Sequence, residues 1–410
     1  MSFPLPLETM MGKPLMYLLF GLIGFAFGFV LEISGFGNSK KLAAQFYFTE
    51  MTVLKVMFTA IVVAMVLMFA MIGLGILDYN QVWVNPTYLW PGIVGGIIMG
   101  FGFIIGGFCP GTSLVSMATF KIDGLFFVLG GLTGIFLFGE TVGLYDDWWH
   151  SSYFGRLTIQ DFLGVPAGWV VVGVILMALV MFWGAEQLER IFGKRDLNRE
   201  PRWRWAGAVA LFAGALAVLL IGQPSTEEKW AQVSPVKAPV LEERKVQIHP
   251  GELLTSIADD RLQVVMLDVR PQNEYNLFHI QGAQNVTLQE LAPAAAQLIA
   301  TNAPNRVVVV MSNDEATATE AWKTLVAESV PNVYILEGGV NNWLGIFAAE
   351  DPEIQQTSTP AGQEQLCFSF PAALGSRYLA ASPSLHEWEL EYTPKIQLEL
   401  KRDKSGGGCG

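Results

Sequence analysis

The segment "GGFCPGTS", Gly106 to Ser113, ends a long apolar run with Cys-Pro-Gly followed by two hydroxyl residues. Pro110 donates no backbone hydrogen bond and suits the first turn of a helix, while Gly111 permits a sharp bend. Thr112 and Ser113 are residue types that cap helices. Backbone that leaves a helix in lipid loses its hydrogen bonds, so such a break needs a protein environment. The segment therefore predicts that one helix ends and a second, short helix begins within a membrane domain.

Apolar runs long enough to cross a bilayer occur throughout the first 222 residues. They cover residues 15–33, 51–76, 90–108, 123–142, 167–186 and 205–222. Residues 34–50 and 109–122 are too amphipathic to span a bilayer and too apolar for ordinary loops. We therefore predict a multi-pass α-helical membrane domain over residues 1–222 that contains two re-entrant half-helices.

The two amphipathic stretches are related to each other. Residues 24–40 ("GFAFGFVLEISGFGNSK") and 96–113 ("GIIMGFGFIIGGFCPGTS") share an apolar helix, Gly-Phe, a small residue and then capping residues. Gly35-Phe36-Gly37 aligns with Gly107-Phe108-Cys109. Internal repeats with interrupted helices are typical of transporter folds. The alternative is that glycine-rich membrane helices resemble one another by composition alone.

Two half-helices of this kind would direct their free N–H groups and positive dipole ends to one place, which predicts a site for a small anion. The predicted site residues are Gly35, Phe36, Gly37, Asn38, Ser39, Gly107, Phe108, Cys109, Pro110, Gly111, Thr112 and Ser113. The thiol of Cys109 can donate to an anion or meet a sulfane sulfur; the alternative is a small buried apolar side chain. Glu32 and Glu140 lie near span ends, where they are interfacial or serve proton coupling.

Charge predicts the orientation of the chain and restricts its partners. The strongest basic loop, residues 190–204, is expected to be cytoplasmic, and span counting then places Lys40, Lys41 and Lys121 on the same side. Both termini and the soluble tail are thereby predicted outside. The net charge of −12 lies almost wholly in residues 225–410, which argues against nucleic acid as a partner. Three widely separated cysteines predict neither a disulfide framework nor a metal site. No cofactor and no cleavable signal peptide are predicted.

The paired Gly-Phe-Cys/Gly segments on a glycine-rich membrane domain resemble the YeeE/YedE family of transporters for thiosulfate and related sulfur compounds. The resemblance covers residues 15–145 and extends toward 222. It implies that the cysteine in the inward-dipping loop, here Cys109, passes the anion through a pore. The first repeat departs from the family pattern because Gly37 stands where a second cysteine is expected.

The second half of the chain reads as an acidic soluble domain after a proline-containing linker, residues 223–245, expected to be semi-extended. "VVMLDVR" (264–270) and "RVVVVMS" (306–312) read as buried strands with helical patterns between them, which indicates a parallel α/β domain. Together with "NVYILEGGVNNW" (332–343), these motifs resemble a rhodanese domain, here over residues 246–350.

The loop after the fourth strand departs from the rhodanese pattern. The resemblance implies a cysteine there that carries persulfide sulfur, but Ser312 occupies its position. Asp314 and Glu315 add negative charge, and Thr317 replaces the usual arginine. Serine cannot hold sulfane sulfur, so we predict a catalytically silent loop and no enzymatic activity at Ser312.

Residues 351–410 are predicted to form a hairpin at 388–400 and a flexible tail that ends in "KSGGGCG". The tail resembles the glycine-cysteine arm of SoxY-type sulfur carriers, which implies that Cys409 is a swinging thiol. The alternative is a tail without function. Cys367 reads as a core residue or as a partner of Cys409.

These observations predict a bacterial inner-membrane permease for thiosulfate or a similar sulfur anion, with a periplasmic soluble domain and a sulfur-carrier protein as a further partner. Two alternatives stay open. One is a membrane-anchored sulfurtransferase that works through Cys409 or Cys367, and the other is a docking scaffold for a periplasmic sulfur carrier.

Overall fold

The computed structural model describes residues 5, 7–194, 203–301, 303, 305–349, 351–358, 364–388 and 390–398. The chain divides into two compact units, with the boundary between Gln223 and Pro224. The first unit is helical, and the second contains a parallel sheet with helices.

The helices of the first unit follow the apolar runs of the sequence. They are α1 (Leu7–Ile33), α2 (Ser39–Ala43), α3 (Thr52–Gly73), α4 (Leu89–Gly106), α5 (Pro110–Ala118), α6 (Ile122–Thr141), α7 (Asp146–Trp149), α8 (Ile159–Leu163), α9 (Ala167–Ile191) and α10 (Trp203–Ile221). Short 3-10 helices cover Ala44–Tyr47, Tyr79–Gln81 and Val142–Leu144.

Within the described residues, six helices are long and apolar enough to cross a membrane, as the sequence predicts. Large apolar side chains on these helices point outward; Phe25 is 75% exposed and Phe126 is 68% exposed. A water-soluble protein does not expose apolar surface on this scale. Lipid therefore surrounds this unit.

Helices α3, α9 and α10 pack against one another around a small apolar core, to which Val62, Ile175 and Ala215 contribute fully buried side chains. The short helix α5 lies along α6, where a methyl group added at Gly124 would approach Ser116 Oγ to 2.6 Å. Glycine permits this close approach because it has no Cβ.

The second unit contains a five-stranded parallel sheet in the order β1-β5-β4-β2-β3. Its strands are β1 (Gln247–Ile248), β2 (Gln263–Asp268), β3 (Gln284–Asn285), β4 (Arg306–Met311) and β5 (Val333–Leu336). A separate antiparallel pair joins β6 (Gln355–Gln356) and β7 (Phe368–Ser369). The helices are α11 (Thr226–Glu242), α12 (Pro250–Ala258), α13 (Gln272–Leu277), α14 (Leu291–Ala300), α15 (Ala316–Ala327) and α16 (Gly339–Phe347), with 3-10 helices at Leu379–Ala381 and Leu385–Glu387.

Strand β4 is buried along its whole length between β2 and β5, as its continuous valine run requires of a central parallel strand. This places the turn that follows β4, from Ser312 onward, at the carboxyl edge of the sheet. In open α/β sheets this edge is where ligands bind.

Residues 226–242 form the helix α11, so the semi-extended linker predicted at 223–245 is wrong over this range. A capping box joins Ser225 and Glu228 at the start of the helix, and Pro235 and Pro239 lie inside it. The ring of Trp230 packs edge-to-face on the ring of Trp322, with centroids 6.0 Å apart. This packing and capping offset the loss of backbone donors at the two prolines.

The hairpin predicted at 388–400 is also wrong in its described part, where residues 390–398 carry no strand. The amides of Lys395 and Ile396 both donate to the buried carboxylate of Glu252, at 2.7 Å. Tyr334 Oη donates to the carbonyl of Gln397 at 2.9 Å. Side chains of the α/β core therefore satisfy backbone groups that a hairpin would have paired.

Candidate functional site

The break at Cys109 forms where the sequence predicts it. Helix α4 ends at Gly106, and Gly107 adopts a left-handed conformation with φ of 71°. Phe108 is buried, and Cys109 is the extended N-cap residue of α5 with Pro110 in its first turn. Glycine tolerates the left-handed conformation and proline suits a first turn, so Gly107 and Pro110 account for the corner. The bend predicted at Gly111 is wrong, because Gly111 is helical in the first turn of α5.

The thiol of Cys109 is part of the cap of α5. The amide of Cys109 donates to Thr112 Oγ1 at 3.0 Å, and the amide of Thr112 donates to Cys109 Sγ at 3.5 Å. Ser113 Oγ donates to the Pro110 carbonyl at 2.8 Å. In the described part of the chain, the amide of Gly111 is the first-turn donor without an internal hydrogen bond. The N-terminus of α5 therefore presents a half-buried thiol and a backbone donor together.

The first break has a similar corner followed by a shorter helix. After α1 ends at Ile33, Gly35 is left-handed with φ of 72°, while Phe36 and Gly37 are buried. Asn38 is the N-cap of α2, and its side chain accepts from the amide of Lys40 at 3.1 Å. The predicted similarity of the two stretches thus extends to a left-handed glycine, a buried phenylalanine and a capped helix start.

The two breaks lie against each other. A methyl group added at Gly107 would lie 3.0 Å from the carbonyl oxygen of Ser39, so the two backbones touch at this point. Phe36 and Phe108, each 1% exposed, belong to one apolar cluster together with Leu42 and Val53. The structure therefore brings together the two groups of residues that the sequence analysis assigned to one site.

Charged side chains surround the first break. Lys121 Nζ donates to the Gly37 carbonyl at 3.0 Å and lies 3.8 Å from the Glu32 carboxylate. Lys41 Nζ donates to the Ser34 carbonyl at 2.8 Å. Ser39 Oγ lies 3.4 Å from Asp123 Oδ2, so the hydroxyl predicted to face an anion contacts a carboxylate instead.

The two acidic residues singled out in the sequence differ in position. Glu32 lies at the break beside Lys121. Glu140 is exposed near the end of α6, about 27 Å along the helix axis from Ile122 at 1.5 Å per residue. Of the two, Glu32 is the carboxylate that contacts the site.

Sequence reasoning missed a buried ion pair in the same unit. Glu189 is fully buried and accepts from the amide of Met51 at 2.6 Å and from Lys55 Nζ at 2.7 Å. A periodic pattern in a single helix gives no signal for such a pair, because the partners are separated by more than 130 residues. Ser116 Oγ is also buried and lacks a hydrogen-bond partner in the described structure.

In the second unit, Ser312 is fully buried at the end of β4. Its hydroxyl donates to the carbonyl of Asp314 at 3.2 Å and accepts from the amide of Ala318 at 3.1 Å. Burial raises the pKa of the Asp314 carboxyl above its usual range, and the charges of Glu364 and Glu315 raise it further. Ser312, at the nucleophile position, thus uses both hydrogen bonds of its hydroxyl to stabilise the turn after β4.

Cys367 is buried, with its Sγ 3.5 Å from the Gln365 carbonyl, as a core residue would be. Cys109 and Cys367 are both free thiols. Cys409 lies outside the described residues. Among the described residues, no group of three or more histidine, cysteine, aspartate or glutamate side chains could hold a metal ion.

The fold and the paired helix breaks define a multi-pass helical membrane protein whose chain continues into an α/β domain. A family model described as "Sulphur transport" matches residues 34–240, and one described as "Rhodanese-like domain" matches residues 249–345. Because the first match covers just over half of the 410 residues, the chain belongs to the sulphur transport family. The chain therefore combines a unit of the sulphur transport family with a rhodanese-like domain.

Two curated proteins are similar to part of the chain. Centrosomal protein of 41 kDa from Rattus norvegicus and from Mus musculus are each 28% identical over 151 residues, which is 34% of this chain. The match covers 43% of the rat protein and 39% of the mouse protein, so the chain spans about two fifths of the length of these relatives. No solved structure matches the chain.

Proposed function

We propose that this protein is a permease that carries thiosulfate, or a closely related sulfur anion, across the bacterial inner membrane past Cys109. The observation that carries the proposal is the contact between the two helix breaks, where Gly107 meets the backbone of Ser39. Short helices that begin at a shared corner place partial positive charge there without a fixed charge. In this proposal α2 and α5 are the re-entrant half-helices of the sequence analysis.

The cap of α5 supplies chemistry suited to a sulfur anion. The amide of Gly111 donates to an oxyanion, while the thiol of Cys109 donates through S–H or contacts the terminal sulfur. As the anion passes, the hydroxyl of Thr112 exchanges its hydrogen bond with Cys109 Sγ for one with the anion. Weak donors hold an anion loosely enough for it to leave, which a permeation path requires.

Lys41 and Lys121 mark the exit of the path in this proposal. Both ammonium groups bind backbone carbonyls of the first break, so they attract an anion without entering the path. The basic loop at 190–204 supports a cytoplasmic position for this side, by the positive-inside rule. The soluble domain and the thiol arm at Cys409 then face the periplasm, where a sulfur-carrier protein delivers the anion.

The α/β domain contributes no sulfur transfer in this proposal. Ser312 is buried and hydrogen-bonded on both sides, and a hydroxyl does not form a persulfide. A thiosulfate:cyanide sulfurtransferase assay of the full chain should therefore give the rate of the assay without protein. Activity that disappears in Cys409→Ser would favour the alternative of a membrane-anchored sulfurtransferase.

Uptake of radiolabelled thiosulfate into liposomes that contain the full chain tests the proposal. We expect uptake above that of empty liposomes, and we expect unlabelled thiosulfate to compete better than sulfate or phosphate at equal concentration. Uptake no greater than in empty liposomes would overturn the assignment as a permease. Equal competition by phosphate would overturn the substrate class.

A further inference from the structure

Two opposite charges lie over the backbone of the first helix break. Lys121 Nζ donates to the Gly37 carbonyl at 3.0 Å, and the Glu32 carboxylate lies 3.8 Å from the same ammonium group. Both side chains are 43% exposed, so neither charge is buried. Because 3.8 Å is longer than a hydrogen bond, the two groups form a loose ion pair. We call them the 32–121 pair.

The absence of a side chain at position 37 makes room for this pair. A methyl group added at Gly37 would lie 2.7 Å from Glu32 Oε2 and 3.2 Å from Lys121 Nζ. Its next neighbour would be Cγ1 of Val115 in α5, at 3.6 Å. Val115 lies about 8 Å along the helix axis from Pro110, at 1.5 Å per residue. The pair therefore lies beside α5, a short distance beyond the cap that contains the Cys109 thiol.

We propose that Glu32 sets how fast the anion is released from the first break, because its carboxylate offsets the charge of Lys121. The inference rests on the permease function proposed above. Lys121 attracts an anion that has passed the thiol, and the carboxylate 3.8 Å away repels it. A permeation path needs binding strong enough for entry and weak enough for exit. Two adjacent charges of opposite sign meet both requirements.

The two members of the 32–121 pair are held differently. Lys121 is anchored by its hydrogen bond to the Gly37 carbonyl, so its positive charge stays at the break. The carboxylate of Glu32 accepts no hydrogen bond from the residues that the structure describes, and its contact with Lys121 is the loose ion pair. Its negative charge can therefore be removed without breaking a hydrogen bond of the helix break.

The neighbouring charged side chains are engaged elsewhere at the break. Lys41 Nζ donates to the Ser34 carbonyl at 2.8 Å. Asp123 Oδ2 lies 3.4 Å from Ser39 Oγ. These contacts leave the 32–121 pair as the charges that lie over Gly37.

The concentration dependence of thiosulfate uptake into liposomes that contain the full chain tests the inference. Glu32→Gln removes the negative charge, and Glu32→Asp keeps it. Lys121→Gln removes the positive charge but keeps a donor for the Gly37 carbonyl. Glu140→Gln is the matched control, because Glu140 is an exposed carboxylate near the end of α6 that is far from Lys121. The melting temperature in detergent reports whether each variant is folded.

We expect Glu32→Gln to lower the KM for thiosulfate by about fivefold and the maximal rate by a similar factor, because the anion is held longer. Lys121→Gln should raise the KM by about fivefold, because the carboxylate then lacks its counter-charge. Glu32→Asp and Glu140→Gln should keep both constants close to those of the wild type. A purely structural role of the pair would not move the KM in opposite directions.

Wild-type KM and maximal rate in Glu32→Gln would overturn the inference and leave the permease assignment in place. A KM that moves in the same direction in Glu32→Gln and Lys121→Gln would do the same. If Glu32→Gln does not fold, the decision falls to Lys121→Gln, where a KM that is unchanged or lower overturns the inference. Absence of uptake by the wild type would overturn the permease assignment and the inference with it.

Discussion

Replacing Gly107 with alanine adds one methyl group where the two helix breaks meet. Gly107 has φ of 71°, a conformation that costs an L-residue about 1–2 kcal/mol. The new Cβ would lie 3.0 Å from the Ser39 carbonyl oxygen and 3.1 Å from Ser39 Cβ, so one backbone must move by a few tenths of an ångström. Overpacking of this kind costs about 1 kcal/mol or more.

The two contributions together amount to at least about 2 kcal/mol, which corresponds to a roughly thirtyfold lower population of the native corner. Gly102→Ala is the matched control, because Gly102 lies within α4 and its added Cβ would meet nothing within 4 Å. Alanine is favoured over glycine in a helix by about 0.5–1 kcal/mol, so this variant should be neutral or slightly more stable.

Thiosulfate uptake into liposomes and the apparent melting temperature in detergent are the two assays for this pair. We expect Gly107→Ala to lower both strongly and Gly102→Ala to lower neither. Equal behaviour of the two variants would refute the reasoning, because it would mean that contact between the breaks is unimportant for folding and transport.

Two further predictions concern buried and half-buried carboxylates. Glu189→Ala leaves Lys55 and the amide of Met51 without their buried acceptor, so the membrane unit should lose about 3 kcal/mol or more of stability. An unchanged melting temperature in detergent would contradict this. The second variant is Asp314→Asn. Burial and the charge of Glu364 raise the pKa of Asp314, so the folded state binds a proton at this carboxyl more tightly than the unfolded state does. The free energy of unfolding therefore falls as the pH rises from the ordinary pKa of 3.8 through the raised pKa of the folded state. Asp314→Asn should remove that fall and be more stable than wild type at neutral pH; a variant less stable than wild type at neutral pH would be contrary to this.

Local chemistry explains what could be predicted from the sequence. The apolar runs give the six long helices, because bilayer-length hydrophobicity needs no tertiary information. Pro110 determines where α5 begins, since proline acts through its own backbone. The bend predicted at Gly111 lies instead at Gly107, which is left-handed, whereas Gly111 is helical within α5. Strands β2 and β4 and helix α14 likewise follow their apolar patterns closely.

Contacts between distant residues explain what the sequence did not predict. Pro235 and Pro239 suggest an extended linker, but α11 forms because Trp230 packs on Trp322 and Lys229 pairs with Glu328 at 2.7 Å. Such packing outweighs local propensity.

Side-chain partners in the candidate sites have the same origin. Ser39 is a capping residue by type, but its hydroxyl lies beside Asp123. Nothing near Glu364 in sequence indicates that its carboxylate fills a turn some fifty residues earlier. Interactions of this kind become visible only when the chain is folded.

The role of Cys109 at the paired breaks is the central claim, and thiosulfate uptake by Cys109→Ala tests it most directly. Cys367→Ala is the control, because Cys367 is a buried thiol of the α/β domain. We predict that Cys109→Ala reduces uptake to the level of empty liposomes, while Cys367→Ala retains wild-type uptake. Uptake by Cys109→Ala equal to that of wild type would contradict the account.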